Sequence, residues 1–367
     1  MGRKIFAVNP GSTSTKIALF EDNKCIFSEN VTHDAKELKA FPEIKDQMPY
    51  RMETIKQILA EKELTLDNTA AFVGRGGGLM PLEGGVYKIN EKLLEHARAC
   101  LTAKHPATLG SQISDALSRE FGGIALVVNP PDVDEFDEIA RITGLKGVYR
   151  ESRVHALNQK EIGIRFADKN NKKYNEVNLI IAHLGGGVSI TAHCKGKMID
   201  STDAINGEGP MAPTRSGSVP ARRIIEMCYS EGLGKEDMLA KLVKTGGLVD
   251  HLNTADVLEI MGKIDAGDEY AKLILDAMLY QVSKSIGSMA AVLKGNVDGI
   301  ILTGGISKSE YVTNFIKERT SFIAPVNVMA GEFEMEALAA GAVRVLDGIE
   351  TAKDYTGIPV WTGDKKY

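Results

Sequence analysis

The fold of this chain is decided by the stretch Lys4-Ile5-Phe6-Ala7-Val8-Asn9-Pro10-Gly11-Ser12-Thr13-Ser14-Thr15-Lys16-Ile17-Ala18-Leu19-Phe20. Alternating apolar residues on both sides of its polar centre predict two buried strands joined by a turn. The turn holds Asn9, Gly11, four consecutive Ser/Thr residues and Lys16. Such a turn can bring backbone N–H groups, hydroxyls and an ammonium to one spot, as a bound phosphate requires. Taken alone, the stretch is equally compatible with a polar hairpin loop.

The same pattern returns in the second half of the chain. Residues 179–184 predict a strand, Gly185-Gly186-Gly187 follow as a turn, and residues 188–192 predict a second strand. Each half also has a later strand that runs into glycines, at 70–78 and at 299–305. A tandem duplication of one α/β unit explains these parallels better than a chance recurrence of glycine loops.

Length and composition bound the class of protein. The 367 residues exceed one hydrophobic core and predict two domains, residues 1–168 with 348–367 and residues 169–347. A net charge of −5 argues against a nucleic-acid partner, and no apolar run approaches the length of a membrane span. The four cysteines form no CxxC pair, which favours reduced thiols and a cytoplasmic location over disulfides or zinc.

Several polar residues stand at predicted strand ends or in loops shaped by Gly and Pro. Arg75 lies in a glycine loop, Arg215 lies in the Gly/Pro-rich segment 206–217, and His183 ends a strand. Three carboxylates fall within residues 132–135, just past another strand, where open α/β sheets place ligand groups. Each of these features also has a structural interpretation: surface arginines, a core histidine and a solvated acidic turn.

Common catalytic motifs are absent from the sequence. It contains no GxxxxGK[ST] loop, no closely spaced His or Cys pair for zinc and no GxSxG elbow. What remains is two phosphate-type hairpins, two loop arginines and strand-end carboxylates. This set fits phosphoryl transfer, in which the protein supplies positioning and positive charge and Mg²⁺ bridges the ATP oxygens.

Several motifs carry a resemblance to the acetokinase family, which belongs to the acetate and sugar kinase, heat-shock ATPase and actin superfamily. The similarity is greatest to its butyrate kinase branch. The motifs are Asn9 to Lys16, His155 to Lys160, His183 to Gly187, Asp203 to Gly209, Arg215 to Gly217, Gly246 to Val249 and Ala291 to Gly295. The resemblance implies an α/β protein with two duplicated ribonuclease H-like (actin-type) domains and an active-site cleft between them.

The same resemblance implies an activity. It is the reversible, ATP-dependent phosphorylation of a short-chain carboxylate, butyrate or a near homologue, to an acyl phosphate by in-line transfer between the domains. ATP and Mg²⁺ are the implied substrate and cofactor, and a homodimer or higher homo-oligomer is the implied assembly. The first domain is expected to bind the acyl substrate and the second the nucleotide.

Residue roles follow from the resemblance only where the motifs match. It implies Asn9, Arg75, His183 and Arg215 as catalytic residues. Ser12, Ser14, Lys16 and Asp134 are implied to bind substrate or phosphate. The implied nucleotide site consists of Gly185, Gly186, Asn206, Gly207, Thr303, Gly304, Gly305 and Ile306. Glu334 falls at the magnesium-linked glutamate, although an acidic residue also suits the first turn of a helix.

Three departures from the family pattern concern the substrate. Asn129 stands where the branch has an aspartate, and an amide can neither act as a base nor serve as an anionic ligand. Thr108 and Thr214 replace an expected Asn and Glu. Asp132 and Asp134 are alternative carboxylates. The open alternatives are a catalytically altered or non-catalytic nucleotide-binding homologue, and a kinase with a different small acceptor.

Overall fold

The chain forms two compact units. The computed structural model describes residues 2–203 and 205–363, and the units are Met1–Asp134 with Phe333–Tyr367, and Glu135–Glu332. The first unit is therefore discontinuous in sequence, since the second is inserted between its two segments.

The first segment of unit 1 supplies most of one sheet. Its elements are β1 (Lys4–Pro10), β2 (Ser14–Glu21), β3 (Lys24–Thr32), α1 (Ala35–Ala40), α2 (Met48–Glu61), β4 (Thr69–Gly74), β5 (Val86–Lys88), α3 (Glu91–Ala99), α4 (Leu109–Phe121) and β6 (Ile124–Val128). The expected hairpin, the strand that runs into the glycines at 70–78 and the strand before residues 132–135 are thus present, as β1 with β2, β4 and β6. Residues 5–10 of β1 are buried throughout, as the apolar pattern requires of a central strand.

Unit 2 contains the second sheet and most of the helices. Its elements are α5 (Glu138–Arg141), α6 (Ala156–Lys169), β7 (Asn178–Leu184), β8 (Val188–Cys194), β9 (Lys197–Ser201), α7 (Ala221–Tyr229), α8 (Lys235–Val243), α9 (Leu248–Leu252), α10 (Val257–Asp265), α11 (Glu269–Val292), β10 (Gly299–Thr303), α12 (Glu310–Thr320) and β11 (Val326–Val328). Helix α11 packs on the sheet through Leu275, Leu279 and Ile286, which belong to the main apolar core of this unit.

The chain then returns to unit 1 with α13 (Glu334–Leu346) and β12 (Lys353–Asp354). Helix α13 packs against β1, β4 and β6. Gly341 makes this approach possible, because a Cβ there would collide with the side chain of Val128.

The two sheets repeat one topology. Within the described residues the first sheet has seven strands in the order β12-β5-β6-β4-β1-β2-β3, and the second has five in the order β11-β10-β7-β8-β9. In both, an antiparallel three-strand meander carries a parallel strand beside its first member: β4 beside β1, and β10 beside β7. The predicted duplication of one α/β unit is confirmed.

The compact units change over at 134/135 and 332/333, whereas the sequence prediction placed the domain boundaries at 168/169 and 347/348. Packing accounts for the difference, because α6 contacts β7 of the second sheet and α13 contacts the first. Residue 1 and residues 364–367 of the predicted first domain lie outside the described residues. The assignment of an acyl side and a nucleotide side stays a prediction.

Candidate active site

In unit 1, Asn9, Arg75 and Glu334 form one hydrogen-bonded group. Asn9 Nδ2 donates to Glu334 Oε2 at 2.6 Å, and Arg75 Nη1 lies 3.2 Å from Glu334 Oε1 and 3.4 Å from Asn9 Oδ1. Strands β1 and β4 run parallel with Val8 paired to Gly74, so the next residue of each reaches the same sheet edge. The structure thus brings together three predicted residues that are up to 325 positions apart.

The local backbone aims this group. Gly74 lies so close to the carbonyl of Gly110 that no Cβ would fit, and the Arg75 N–H donates to the Val8 carbonyl at 3.1 Å. Phe333, immediately before Glu334, has a φ of +42°, an uncommon conformation for a bulky residue. Arg75 Nε is buried without a hydrogen-bond partner among the described residues.

The first hairpin loop lies at the end of β1. Asn9 and Lys16 are directly paired across β1 and β2, so their side chains share a face of the sheet. Ser12 and Lys16 are exposed, and Ser14 is partly exposed. The loop is closed by the Gly11 N–H, which donates to the Ser14 carbonyl at 2.7 Å.

The strand-end segment after β6 is buried. The Asn129 side-chain oxygen accepts the Gly85 N–H at 2.7 Å, and φ of Asn129 is +38°, a conformation that Asn tolerates well. This amide therefore has a backbone-capping role at the end of β6. Asp132 accepts from the Thr102 hydroxyl at 2.5 Å, and the buried Asp134 donates its N–H to the Leu82 carbonyl.

In unit 2, His183 is the last residue but one of β7 and is buried. Its Nδ1 lies 2.9 Å from Asn158 Oδ1, and its ring stacks on His155 at a centroid distance of 4.1 Å. Because Asn158 Nδ2 donates to the Glu332 carbonyl at 2.6 Å, its Oδ1 accepts the proton of His183 Nδ1. His155 Nδ1 is in turn 2.8 Å from Ser189 Oγ.

The triple-glycine turn after β7 makes room for Arg215. A Cβ on Gly187 would lie well inside contact distance of the Arg215 guanidinium, and a Cβ on Gly185 would lie 3.0 Å from His183 Nε2. The side chains of Arg215 and His183 thus both pack against this glycine turn. Arg215 Nε and Nη1 are buried without hydrogen-bond partners among the described residues. Burial lowers the pKa of Arg215, and the charge of Asp203 opposes that shift.

The predicted nucleotide loops border this turn within the same unit. Thr303 is the register partner of His183 across β10 and β7, and a Cβ on Gly304 would collide with the Leu184 carbonyl. Gly305 begins the 3₁₀ turn Gly305–Lys308, which contains Ile306. Asn206 Nδ2 donates to Asp203 Oδ2 at 2.7 Å, and Gly207 has a φ of +85°. A small cavity is lined by Val188, Asp203, Gly207, Glu208, Pro210, Ala212, Arg215 and Gly217.

Sequence reasoning missed two residues of these clusters as site residues. His155 and Asn158 belong to the motif from His155 to Lys160, but the resemblance implies no role for them. The available signal was the motif containing each residue; the contacts themselves link positions 25 or more apart and leave no periodic trace.

Comparison with known proteins decides the family. The acetokinase family model matches residues 146–341, more than half of the chain. Butyrate kinase 2 of Clostridium acetobutylicum is 45% identical over 96% of this chain and 99% of its own length. Butyrate kinase 1 of the same organism is 42% identical over the same shares.

The chain belongs to the acetokinase family.

Solved structures show the family fold in the chain as a whole. An acetate kinase from Porphyromonas gingivalis superposes with a TM-score of 0.77 at 19% identity, covering 94% of this chain and 99% of that one. A propionate kinase from Francisella tularensis gives 0.73 at 19% identity, with 92% and 98% covered. The expected fold class, duplicated actin-type domains, is confirmed. No helix in the described part of this acetokinase-family chain is long and apolar enough to span a membrane.

Proposed function

We propose that the protein is an ATP-dependent carboxylate kinase that phosphorylates butyrate or a near homologue to its acyl phosphate, reversibly. The observation that carries this proposal is the pair of arginines at strand-end glycine loops. Each has buried guanidinium nitrogens without a partner among the described residues, Nε of Arg75 and both Nε and Nη1 of Arg215. Unpartnered buried donors on a cation are costly, and a phosphoryl or carboxylate group would satisfy them.

The chemistry needs little beyond charge and alignment. A carboxylate oxygen of the acid attacks the γ-phosphorus of ATP, a new C–O–P linkage forms, and the bond from the γ-phosphorus to its bridging oxygen breaks. ADP leaves with the electron pair. A short-chain acid has a pKa near 4–5, as carboxyl side chains do, so it is already ionised at neutral pH and no general base is required.

The amide at Asn129, where the family pattern has an aspartate, bears on the alternative function, a kinase with a different small acceptor. A hydroxyl acceptor would have to lose a proton, and strand-end aspartates commonly take it. Here the corresponding strand end carries Asn129, whose amide oxygen is occupied by the Gly85 N–H. This environment favours an acceptor that arrives without a proton to lose.

In this proposal unit 2 holds the nucleotide and unit 1 holds the acid and the transferred phosphoryl group. Gly185, Gly186, Asn206, Gly207 and the loop from Thr303 to Ile306 bind ATP. Arg215 and His183 contact the transferring phosphoryl group, and His155 supports the His183 ring. On the unit 1 side, the acid and the phosphoryl group are bound by Asn9, Arg75, Ser12, Ser14, Lys16 and Asp134.

Mg²⁺ belongs to the proposal as the counter-ion of ATP. Among the described residues no group of three or more His, Cys, Asp or Glu is arranged to hold a metal. Mg²⁺ in kinases is commonly held by one or two carboxylates plus phosphate oxygens, and Glu334 supplies one carboxylate. Bound there, the ion would neutralise phosphate charge, while Asn9 and Arg75 orient the carboxylate.

We further propose a cytoplasmic enzyme that works as a homodimer or higher homo-oligomer, with no nucleic-acid or membrane partner. The net charge of −5 and the absence of clustered basic motifs support the exclusion of nucleic acid.

A hydroxamate assay tests the activity. The protein is incubated with ATP, Mg²⁺, hydroxylamine and each straight-chain acid from acetate to valerate. Butyrate or a neighbour in the series is expected to give the highest rate of hydroxamate formation, with selectivity of about 10–200-fold per methylene at most. ATP binding without hydroxamate from any acid would overturn the proposal and favour a non-catalytic nucleotide-binding protein.

A further inference from the structure

One fully buried cation lies beneath the first hairpin loop and has no role in the reaction described so far. It is Arg51, in the first turn of α2, a residue whose side chain is completely inaccessible to solvent. Its Nη1 donates to the Ser14 carbonyl at 3.0 Å and to Thr15 Oγ1 at 2.9 Å, and its Nη2 donates to the Ser12 carbonyl at 3.4 Å. Gln47 Oε1 accepts from Nε at 3.2 Å and from Nη2 at 3.0 Å.

All of these partners are neutral. No carboxylate of the described residues pairs with Arg51, which is unusual for a buried arginine. Burial lowers the pKa of Arg51 to about 10, so the side chain remains a cation at neutral pH.

A second basic residue touches the same loop but is neutral. The Thr15 hydroxyl that accepts from Arg51 also lies 2.7 Å from His33 Nε2. Burial, together with the charge of Arg51, lowers the pKa of His33 to about 4, so its ring is uncharged at neutral pH. Arg51 is thus the cation that acts on the loop from within the fold.

Three consecutive carbonyls of the loop have hydrogen-bond donors within the fold. Those of Ser12 and Ser14 bind Arg51, and that of Thr13 accepts the His33 N–H at 2.9 Å. The N–H groups of Ser12 and Thr13 have no acceptor among the described residues, and both residues are exposed. Unpartnered N–H groups on exposed residues next to a buried positive charge can form an anion-binding surface.

We propose that Arg51 is a positioning residue for phosphate binding, because it holds the carbonyl side of the loop inward and presents the Ser12 and Thr13 N–H groups to the phosphate. Its charge strengthens that attraction without contact. The proposal rests on the proposed function for the identity of the anion, a phosphate or acyl phosphate. It concerns Arg51, a buried residue that does not itself contact the substrate.

Two kinds of variant separate geometry from charge. Gln47→Glu keeps an acceptor for Nε and Nη2 but places a carboxylate on the guanidinium. The hydrogen bonds from Arg51 to the Ser12 and Ser14 carbonyls, which we call the clamp, therefore stay, and the net charge is cancelled. Arg51→Gln removes the charge and most of the clamp, whereas Arg51→Lys restores the charge with a single donor centre. Ile55→Ala, one turn along the same helix and in the buried core of the unit, is the control for destabilisation alone.

The probes are inorganic phosphate, whose Kd is measured by calorimetry, and butyryl phosphate, whose KM is measured in the ATP-forming direction. Gln47→Glu is expected to weaken both about three- to fivefold, the effect of one charge about 10 Å away, with Tm unchanged or raised. Arg51→Gln should weaken both about tenfold or more, and Arg51→Lys should recover part of the loss. Ile55→Ala should lower Tm and leave Kd and KM unchanged.

Unchanged Kd and KM in Gln47→Glu would overturn the charge contribution, and unchanged values in a folded Arg51→Gln would overturn the clamp. If Arg51→Gln does not fold, Gln47→Glu and Arg51→Lys still decide. Failure of the proposed function is distinguishable, because the wild-type protein would then not turn over butyryl phosphate, while phosphate affinity would still report on Arg51.

Discussion

The two hairpin loops occupy equivalent places in duplicated sheets, yet they consist of different residue types. The β1–β2 loop is rich in hydroxyls, the carbonyls of Ser12 and Ser14 accept from the buried Arg51, and the N–H groups of the exposed Ser12 and Thr13 have no acceptor among the described residues. The β7–β8 loop is three glycines with no side chains of its own, and Arg215 and His183 fill the space that those glycines leave. The first loop therefore supplies binding groups, whereas the second supplies room for binding groups from elsewhere.

This difference shows how a duplicated element can diverge without changing its fold. Both loops need a short connection between antiparallel strands, and both sheets keep the same strand order. The source of the positive charge also differs: the buried Arg51 contacts the first loop, and Arg215 packs against the glycines of the second. Four substitutions test this contrast.

The largest effect is expected for Arg215→Ala. We propose that this arginine contacts the transferring phosphoryl group, and removing such an arginine typically costs ~10³-fold or more in kcat. The thermal stability should stay the same or rise, because the lost side chain is a buried cation with two unpartnered nitrogens. Hydroxamate kinetics and a melting curve measure the two quantities, and a folded variant that keeps the wild-type kcat would contradict the assignment.

Gly187→Ala should lower kcat about 10²-fold, because a displacement of about 1 Å at a catalytic group has that effect on the rate. The added Cβ collides with the flexible end of Arg215, so the side chain moves and the turn remains folded. The check is a double-mutant cycle with Arg215→Ala. In that background Gly187→Ala should cause little further loss, and additive losses would show that the glycine acts independently of the arginine.

Glu334→Gln tests the first unit. Replacing the carboxylate that Asn9 and Arg75 orient should raise the Mg²⁺ concentration for half-maximal rate about tenfold. Glu336→Gln, two residues further along α13 and exposed, is the matched control and should leave the Mg²⁺ requirement unchanged. Equal Mg²⁺ titrations for both variants would remove Glu334 from the metal site.

The smallest effect is expected for Asn129→Asp. A carboxylate can accept the Gly85 N–H as the amide does, and an ionised acceptor acid needs no base, so kcat should change by less than about threefold. A strong rise in turnover would show instead that an aspartate at this strand end is missing from the machinery.

The parts of the molecule that sequence could predict are those with local signals. Alternating apolar residues predicted β1, β2 and β7 with nearly their observed bounds, and glycines marked the turns after β4 and β10. Arg51 could not be predicted, because one basic residue at the start of an amphipathic helix has the pattern of a solvated face. The stacked ring of His155 is likewise a tertiary contact, which no spacing encodes.

The group of Asn9, Arg75 and Glu334 could be predicted in part: its residues from motifs, but not the contacts between them. Each residue was proposed through family resemblance, and the structure places the three in contact. Their contact depends on α13 returning to the first sheet after nearly 200 intervening residues, an arrangement set by packing of Gly341 against Val128. Motifs can identify such residues, but only the fold shows that they touch.

The split of unit 1 into two segments has a consequence for synthesis. Translation proceeds from the N-terminus, so every residue of unit 2 is made before Glu334 leaves the ribosome. The surface of β1, β4 and β6 that α13 covers therefore stays open until the residues of α13 have been synthesised. Glu334 is therefore the last of the three clustered residues to be synthesised, and a nascent chain of this kinase fold cannot form the cluster with Asn9 and Arg75 before unit 2 has been made.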